Sequence, residues 1–334
     1  MIALCAALLL AAPPAGLYRG AIGVVDSSSG GKALPIVMLL ESPSEGVLKG
    51  RYFYWKQRRD IVLDGTYQGG RISLQERVGE GGAVSGTFSG SFETNGWSGT
   101  WATASKSRQL PVTMSRVGDG SVEELERWRR GLVRGTQSAN GLTWEWRAAR
   151  ASPGIALPFL VKSNSAAVAK KVNAAMQLML DQMGCEAGGE WTTRSAVASS
   201  RRDVFSVSIH SSYYCGGPYP TNDANESVTF DLRTGEKIEL WSLFSAPREA
   251  VLKTLLAARI GEGSEPEGGE CPKKWPLEEA LDFTLDFAIE EDGIVVQPEF
   301  PHVMEGCAFE EKIPFARLTR IAPPDGVIAR LARK

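Results

Sequence analysis

The sequence predicts two modules of different fold class: an N-terminal all-β antiparallel meander or barrel of about eight strands, and a C-terminal α+β domain with helices packed on an antiparallel sheet. Two observations predict this division. Short strands separated by turns fill the first third of the chain, whereas amphipathic helices and alternating strands share the rest. A chain of 334 residues also exceeds the size at which one core usually stops growing. We assign 17–117 to the β domain, 118–141 to a helix and linker, and 142–334 to the α+β domain.

Residues 1–16, MIALCAALLLAAPPAG, resemble a signal peptide. An apolar run precedes small residues and prolines, as in the cleavage zone of a secretory signal, and the run is too short to span a bilayer. No Lys or Arg precedes it, so either the signal is weak or the true start lies upstream. A buried first strand is the alternative interpretation. We expect a periplasmic or secreted protein without stable membrane insertion after signal removal.

Eight segments between Leu17 and Val117 predict the β domain. Breaks such as YQGGR and ETNGW separate them and favour hairpins. A glycine followed two residues later by an aromatic residue recurs, which allows a strand to bend while the ring fills the space opposite. These pairs are Gly65/Tyr67, Gly86/Phe88, Gly90/Phe92 and Gly99/Trp101. The pattern predicts an up-and-down meander curled into a barrel or half-barrel.

A helix follows the predicted strands. Ser121 and Glu124 form a capping box at its start, and the segment GTQSANG that comes later is predicted to be a linker ending near Gly141. In the second module, SNSAAVAKKVNAAMQLMLDQMG predicts an amphipathic helix. Its apolar face comprises Val168, Val172, Met176, Met179 and Met183.

Strands and a second helix complete the predicted α+β module. VFSVSIHSSYYC and FTLDFAI alternate, ESVTFDLRTGEKIELWSLF predicts a hairpin, and FSAPREAVLKTLLAARIG predicts the helix.

Four cysteines remain outside the apolar amino terminus, and an even number in an exported chain predicts two disulfides. They are Cys185, Cys215, Cys271 and Cys307. No CxxC occurs, and the spacings do not fit a zinc site. Four cysteines allow three connectivities. We favour Cys185–Cys215 and Cys271–Cys307 because near-neighbour pairing joins adjacent elements, each bond contributing roughly 3–4 kcal/mol.

Cys215 lies five residues after His210, which raises the possibility of a thiol and its base. Strand side chains alternate between faces, so Cys215 shares a face with Val207 and Ile209, whereas His210 shares one with Ser208. A nucleophilic dyad requires hydrogen-bond contact between its members. We therefore predict a disulfide cysteine on a core-facing edge.

Other signs of catalysis or cofactor binding are few. The sequence has two histidines and none of the motifs GxSxG, HExxH, Walker A or GxGxxG. We predict no cofactor and no metal, with a site built from His210, His302 and an acidic residue as the alternative. Glu290 and Glu291 are predicted to lie solvated in a turn, although paired catalytic carboxylates look much the same in a sequence. The net charge of −2 argues against a nucleic-acid partner.

The segment RYFYWKQRRD contains the first candidate ligand-binding surface. It puts Tyr52 and Tyr54 on one face of a strand and Phe53 and Trp55 on the other. One pair must belong to the core. We predict that the other pair, beside Arg58, forms an aromatic and basic platform for a glycan or peptide; strand packing with a solvated basic turn is the alternative.

The loop Gly216–Asp223 is the second candidate surface, with Tyr219 and Asp223 as its ligand-binding side chains. Two prolines and the neighbouring Cys215 make this loop rigid, and rigidity favours recognition. A purely structural turn is the alternative.

The stretch YYCGGPYPTNDANESVTFDLRTGEKIELWSLF resembles a known envelope domain of unknown function. This domain occurs in the extracytoplasmic part of RsiV-type, lysozyme-sensing anti-sigma factors and in PdaC-type peptidoglycan deacetylases. The resemblance covers about residues 142–322. Its motifs are Gly216, Gly217, Tyr219 and Pro220; Asp231, Leu232, Thr234 and Gly235; Leu240, Leu243 and Phe244; and Ile313, Pro314, Phe315 and Leu318.

Tyr219 stands where many relatives carry histidine, and the resemblance transfers no catalytic residue. It implies that the domain binds something in the cell envelope. We therefore expect an exported, non-enzymatic binding or sensing protein of the bacterial envelope, whose ligand is an envelope protein such as lysozyme, or a glycan. The alternative is a hydrolase directed at the cell wall, or an accessory module of one, that uses carboxylates.

Overall fold

The computed structural model describes residues 15–23, 33–185, 190–201, 203–215, 222–261, 271–300, 304 and 307–333. Most of the predicted signal peptide lies outside these ranges, as do Tyr219 and His302. The chain forms two compact units. The first extends to Val133 and also includes Arg150–Pro153, and the second begins at Arg134.

The first unit is a closed barrel of eight antiparallel strands. Each strand pairs with the next along the chain, and β1 pairs with β8, so the predicted meander is confirmed and the sheet closes fully. The strands are β1 Gly16–Ile22, β2 Leu34–Ser44, β3 Val47–Tyr54, β4 Ile61–Gln68, β5 Arg71–Arg77, β6 Val84–Glu93, β7 Gly96–Thr103 and β8 Gln109–Gly118.

Alternate side chains of these strands fill the barrel interior. Tyr52 and Phe88 meet edge to face at 5.5 Å between ring centroids, and Phe88 meets Trp97 in the same way at 6.1 Å. An eight-stranded barrel is just wide enough for its own side chains to occupy it. The buried members of this core are Tyr18, Ile22, Ile36, Met38, Leu40, Leu48, Tyr52, Leu63, Ile72, Leu74, Phe88, Trp97, Val112 and Met114.

Glycines of the recurring pattern lie where neighbouring strands approach closely. Gly90 and Gly99 are directly opposite each other on β6 and β7. A Cβ atom added at Gly99 would lie 2.0 Å from the Ser89 carbonyl oxygen and 2.5 Å from the Gly90 Cα atom. Only a residue without a side chain fits there, because strand backbones cannot move apart without losing the ladder of hydrogen bonds.

Helix α1, Val122–Arg129, follows the barrel and begins at the predicted capping box. The Ser121 hydroxyl accepts a hydrogen bond from the Glu124 backbone N–H at 3.1 Å. The Glu124 carboxylate in turn accepts one from the Gly120 N–H at 3.2 Å. Trp128 of this helix is buried and contacts Trp55 at the end of β3, 6.4 Å between centroids, so α1 covers part of the outer barrel wall.

The predicted linker GTQSANG is wrong, because most of it belongs to a strand. Strand β9, Leu132–Ala139, joins β10, Leu142–Ala148, and β11, Ala156–Lys162, in a three-stranded sheet. The turn residues Asn140 and Gly141 have φ angles of 52° and 83°, as the tight hairpin turn favoured by Asn-Gly requires. The Asn140–Gly141 dipeptide therefore marks a hairpin between β9 and β10.

The rest of the second unit contains two more three-stranded sheets and several helices. The sheets are ordered β12-β13-β14 and β15-β16-β17. Their strands are β12 Glu190–Ser199, β13 Val204–Tyr214, β14 Asn222–Asp231, β15 Thr284–Ile289, β16 Gly293–Glu299 and β17 Glu311–Pro314. The helices are α2 Ala166–Gln182, α3 Arg248–Leu255, α4 Leu277–Ala280, α5 Phe315–Leu318 and α6 Val327–Ala332, with a 3₁₀ turn at Leu240–Leu243.

The long helix α2 is attached to β11 through one side chain. Asn173 donates to the Leu160 carbonyl and accepts from the Leu160 N–H, both at 2.8 Å. Its buried face differs from the predicted one at a single position, since Leu180 is buried and Met179 is only half-buried. A separate core joins α3, α5 and α6 to the β15-β16-β17 sheet, with Leu252 and Ile289 fully buried.

The predicted disulfide Cys271–Cys307 is confirmed, with 5.2 Å between Cα atoms. Cys185 and Cys215 are also disulfide-bonded. Cys215 follows the last residue of β13 and is exposed; the predicted core-facing position is therefore wrong, because the alternation ends with the strand. Within the described ranges, no helix has the length and apolar character needed to cross a membrane.

We predict that Gly99→Ala destabilises the barrel by about 1–3 kcal/mol, because the added methyl group overpacks the contact between β6 and β7. Urea denaturation followed by tryptophan fluorescence measures this loss. Gly135→Ala is the control, since no atom lies within 4 Å of its added Cβ and such substitutions usually change stability by less than about 0.5 kcal/mol. Equal stability of the two variants would contradict the close approach.

Candidate functional site

A polar groove of about 240 Å³ on the second unit is the candidate functional site. Strands of both sheets β12-β13-β14 and β15-β16-β17 contribute to it, together with residues adjoining the second sheet. Its lining residues, hereafter the groove, are Arg194, Ala198, Ser208, Ile209, His210, Asn225, Ser227, Asp286, Phe287, Ala288, Glu290, Val295, Gln297 and Glu310. The lining combines charged and amide side chains with apolar ones.

Strand alternation places the groove side chains of β13. Ser206, Ser208 and His210 share one face, as the sequence predicts. Ser206 is fully buried, whereas Ser208 and His210 line the groove. This face of β13 is therefore buried at Ser206 and open to the groove at Ser208 and His210.

Buried hydrogen bonds fix β15 beside β13 and β14 at the closed end of this face. The Ser206 hydroxyl lies 2.8 Å from the Thr229 hydroxyl and accepts a hydrogen bond from the Ile289 N–H at 3.0 Å. A second bond, from the Ser227 N–H to an Asp286 carboxylate oxygen, spans 2.9 Å. Buried polar groups need such partners, so the contacts determine where the groove residues of β15 lie.

Asp286 is a half-buried carboxylate of the groove. Burial raises its pKa above the ordinary value, and hydrogen bonds from Ser227 oppose that rise. The pKa of Glu226 and that of Glu299 are raised as well, first by loss of hydration and then by the negative charge of Asp286. Neither of these two glutamates lines the groove, and the charge of Lys237 offsets part of the effect at Glu226.

Glu290 lies in the groove rim, although the sequence suggested a solvated turn residue. It is half-buried and forms an ion pair with Lys312 at 2.8 Å. The same Lys312 ammonium group contacts Asp292 at 2.7 Å, and this hydrogen bond lowers the pKa of Asp292. Since Lys312 pairs with Glu290, Asp286 and Glu310 are the groove carboxylates without an ion pair among the described residues.

His210 forms a hydrogen bond with the side-chain amide of Asn225, and not with a nucleophilic thiol. Its Nδ1 atom donates to the Asn225 side-chain oxygen at 2.7 Å, which leaves the other ring nitrogen as an acceptor in the neutral form. Cys215 is disulfide-bonded, so the predicted absence of a Cys–His dyad agrees with the structure. Among the described residues, no three His, Cys, Asp or Glu side chains are grouped closely enough to hold a metal ion.

The predicted ligand-binding tyrosines belong to the barrel interior. Tyr52 is fully buried, and its hydroxyl donates to a Glu76 carboxylate oxygen at 2.5 Å. Glu76, only 5% exposed, also accepts from the Trp101 ring N–H at 2.9 Å and from the Ser85 hydroxyl at 2.8 Å. Burial raises the pKa of Tyr52, and the adjacent Glu76 raises it further. Tyr54 is half-buried beside them.

The opposite aromatic pair is not an exposed platform either, so that prediction is wrong. Phe53 and Trp55 are both 0% exposed, because α1 lies over them with Trp128 against Trp55. The Arg129 guanidinium lies 5.3 Å from the Phe53 ring centroid, and that of Arg58 lies 4.5 Å from the Trp55 ring centroid. The pattern of the strand could not reveal the helix that covers its outer face.

The predicted loop surface is described only at its end. Asp223 lies in β14, opposite Ser212, and is exposed, while Tyr219 lies outside the described residues. The structure places Asp223 in a different unit from the barrel residues.

Asp286, Asn225, Gln297 and Arg194 are groove residues that the sequence interpretation did not single out. For Asp286 a signal existed, because it is the one charged residue in FTLDFAI, an otherwise apolar or neutral strand. A charge within such a strand indicates a polar face that needs a partner. No comparable signal marks Arg194, whose position depends on the pairing of strands.

We predict that the stability of the wild-type protein relative to Asp286→Asn falls as pH rises from about 4. The folded-state pKa of Asp286 is raised, so folding favours the protonated acid, and this contribution disappears once the folded form ionises. Urea denaturation at several pH values between 4 and 7 measures the difference. Asp282→Asn, which removes an exposed charge outside the groove, is the control. Parallel pH profiles for wild type and Asp286→Asn would contradict the assignment.

No protein-family model and no curated protein matches the chain. Solved structures are similar to it, including two DUF3298 family proteins. One is a member of the DUF3298 family from Bacteroides fragilis NCTC 9343, with 13% identity and a TM-score of 0.38, covering 61% of this chain and 100% of that chain. The other is a DUF3298 family protein from Pseudomonas aeruginosa PAO1, with 18% identity and a TM-score of 0.30, covering 49% and 72%. Both neighbours are named for a domain of unknown function, and the RsiV-type and PdaC-type resemblance stays a prediction.

Proposed function

We propose that the protein is an exported, non-enzymatic binding protein of the bacterial cell envelope, and that the groove binds a glycan. The observation that supports this most directly is the composition of the groove, whose lining combines hydrogen-bond donors and acceptors with apolar side chains. Sugars present hydroxyl groups at their edges and C–H groups on their faces. A site for them needs polar groups that fix orientation and an apolar area beneath.

The individual groups have the chemistry that hydroxyl ligands require. The Asn225 and Gln297 amides both donate and accept, Asp286 and Glu310 accept, and Arg194 donates. Ala198, Ala288 and Val295, which share strand faces with Arg194, Asp286 and Gln297, add apolar groups to the lining. His210 is hydrogen-bonded to Asn225 through Nδ1. In the neutral imidazole, Nε2 can then accept a hydrogen bond from a ligand hydroxyl.

The envelope location rests on the cysteines and on the amino terminus. Two disulfides indicate an oxidising compartment, extracellular or periplasmic. The signal-like residues 1–16 and the resemblance to the RsiV-type and PdaC-type domain support export and an envelope ligand. In this proposal the second unit is an α+β module of that type, and an envelope protein such as a lysozyme is the other ligand to test.

A cell-wall hydrolase is the second candidate function, because the carboxylates around Asp286 influence one another. Raised pKa values of neighbouring acids are typical of sites that donate protons, and glycosidases use paired carboxylates. Against this, Glu226 and Glu299 do not line the groove with Asp286. Release of reducing ends from peptidoglycan by the wild type, lost in Asp286→Asn, would favour the hydrolase.

We predict that Asn225→Ala and Gln297→Ala each weaken binding of soluble peptidoglycan fragments about tenfold, equivalent to about 1.4 kcal/mol, because each removes hydrogen bonds to the ligand. Isothermal titration calorimetry measures the affinities. Gln177→Ala is the matched control, since it removes an exposed amide of α2 outside the groove.

A parallel titration with lysozyme separates the two ligand classes. Binding of the fragments that depends on the two groove amides supports the proposal. Failure of the wild type to bind either fragments or lysozyme would overturn it, as would equal affinities for the groove variants and the control.

A further inference from the structure

A shallow basic depression lies on the first unit, outside the barrel. It measures about 580 Å³ and is lined by Trp55, Lys56, Arg58, Arg150 and Ala151. Arg150 and Ala151 come from the short segment Arg150–Pro153, which belongs to the same unit as the barrel. The Arg19 guanidinium of β1 donates to the Pro153 carbonyl at 3.4 Å, so the segment is held against the barrel strands.

Each ionisable group that lines the basic depression is a cation. Lys56 and Arg150 are exposed, and neither has an ion pair or a side-chain hydrogen bond with any residue in the described ranges. The nearby acid Asp60 is occupied elsewhere, because it contacts both Arg129 and Arg51. Among the described residues, therefore, no carboxylate forms an ion pair with Lys56 or Arg150.

Several contacts hold Arg58 in place in the lining of the basic depression. Its backbone N–H donates to the Tyr54 carbonyl at 2.8 Å, and its φ angle of 54° is uncommon for a residue with a side chain. The guanidinium donates to the Trp55 carbonyl at 3.2 Å and to the Arg129 carbonyl at 2.7 Å while stacking on the Trp55 ring. A fixed arginine loses little conformational freedom when it meets a ligand.

The electrostatic environment of Arg58 favours a nearby negative charge. Burial lowers the pKa of Arg58, and the positive charge of Arg150 lowers it further. Like charges that converge without a counterion repel each other. An anion bound between Lys56, Arg58 and Arg150 would attract all three cations and offset the repulsion between them.

We propose that the basic depression binds a phosphate group, as a site separate from the groove. A phosphate carries up to two negative charges and several acceptor oxygens, which matches two guanidinium groups and an ammonium group better than a single carboxylate does. The phosphate can belong to a soluble phosphorylated molecule or to a lipid headgroup. The chemistry of recognition is the same for both.

Calorimetric titration of the full chain with inorganic phosphate and with glycerol 3-phosphate tests the site for a soluble source. Co-sedimentation with phosphatidylglycerol vesicles, compared with phosphatidylcholine vesicles, tests it for a headgroup. We expect Arg150→Gln and Lys56→Gln each to weaken phosphate binding at least about fivefold, and the double variant to abolish it. Arg58→Lys keeps the positive charge but loses the planar pair of guanidinium donors that can hold two phosphate oxygens at once. We expect it to bind phosphate more weakly than the wild type.

Arg71→Gln is the matched control, because it removes one exposed positive charge from β5 of the same barrel. Unfolding midpoints of all variants show whether the barrel remains intact. Binding that persists in Arg71→Gln and is lost in Arg150→Gln supports the site, with the soluble or the vesicle titration identifying the source. The proposal fails if the wild type binds neither phosphate nor vesicles, or if Arg71→Gln loses as much affinity as Arg150→Gln.

Discussion

A β-strand presents successive side chains to opposite faces, and both sites of this protein depend on that constraint. In β3 it sends Tyr52 into the barrel and Phe53 outward, and the Phe53 ring stacks with Trp55, which supports Arg58. In β13 it sends Ile209 to a buried position and leaves His210 exposed. A shift of either strand by one residue would exchange these faces. The strand registers therefore determine the chemistry of each surface.

Two hydrogen-bond networks connect buried polar side chains of different strands. The Ser206 and Thr229 hydroxyls bond to each other, and Ser206 also accepts from the Ile289 N–H. In the barrel, Glu76 collects three donors, and a Cβ atom at Gly86 would lie 2.8 Å from its carboxyl group. An unmatched buried donor or acceptor costs roughly 1–3 kcal/mol. Such networks favour one arrangement of strands over others, which places the residues at the surface sites beside them.

The sequence predicts the local features of this fold well. All eight barrel strands, the capping box at Ser121 and the bond Cys271–Cys307 follow from alternation, spacing and count. Errors arise where a distant element decides the outcome. Helix α1 covers Trp55, a hairpin partner turns GTQSANG into a strand, and Arg150 reaches the basic depression from a segment far along the chain. Pattern within one segment cannot show what packs against it.

The bond between Cys271 and Cys307 encloses the stretch of chain that carries Asp286 and Gln297, at a separation of 36 residues. Exposed loops are where proteases cut most readily. One cut between these cysteines would leave both pieces of the chain joined through sulfur. Strands β15 and β16, which carry these two groove residues, would then stay attached to the rest of the molecule after a nick.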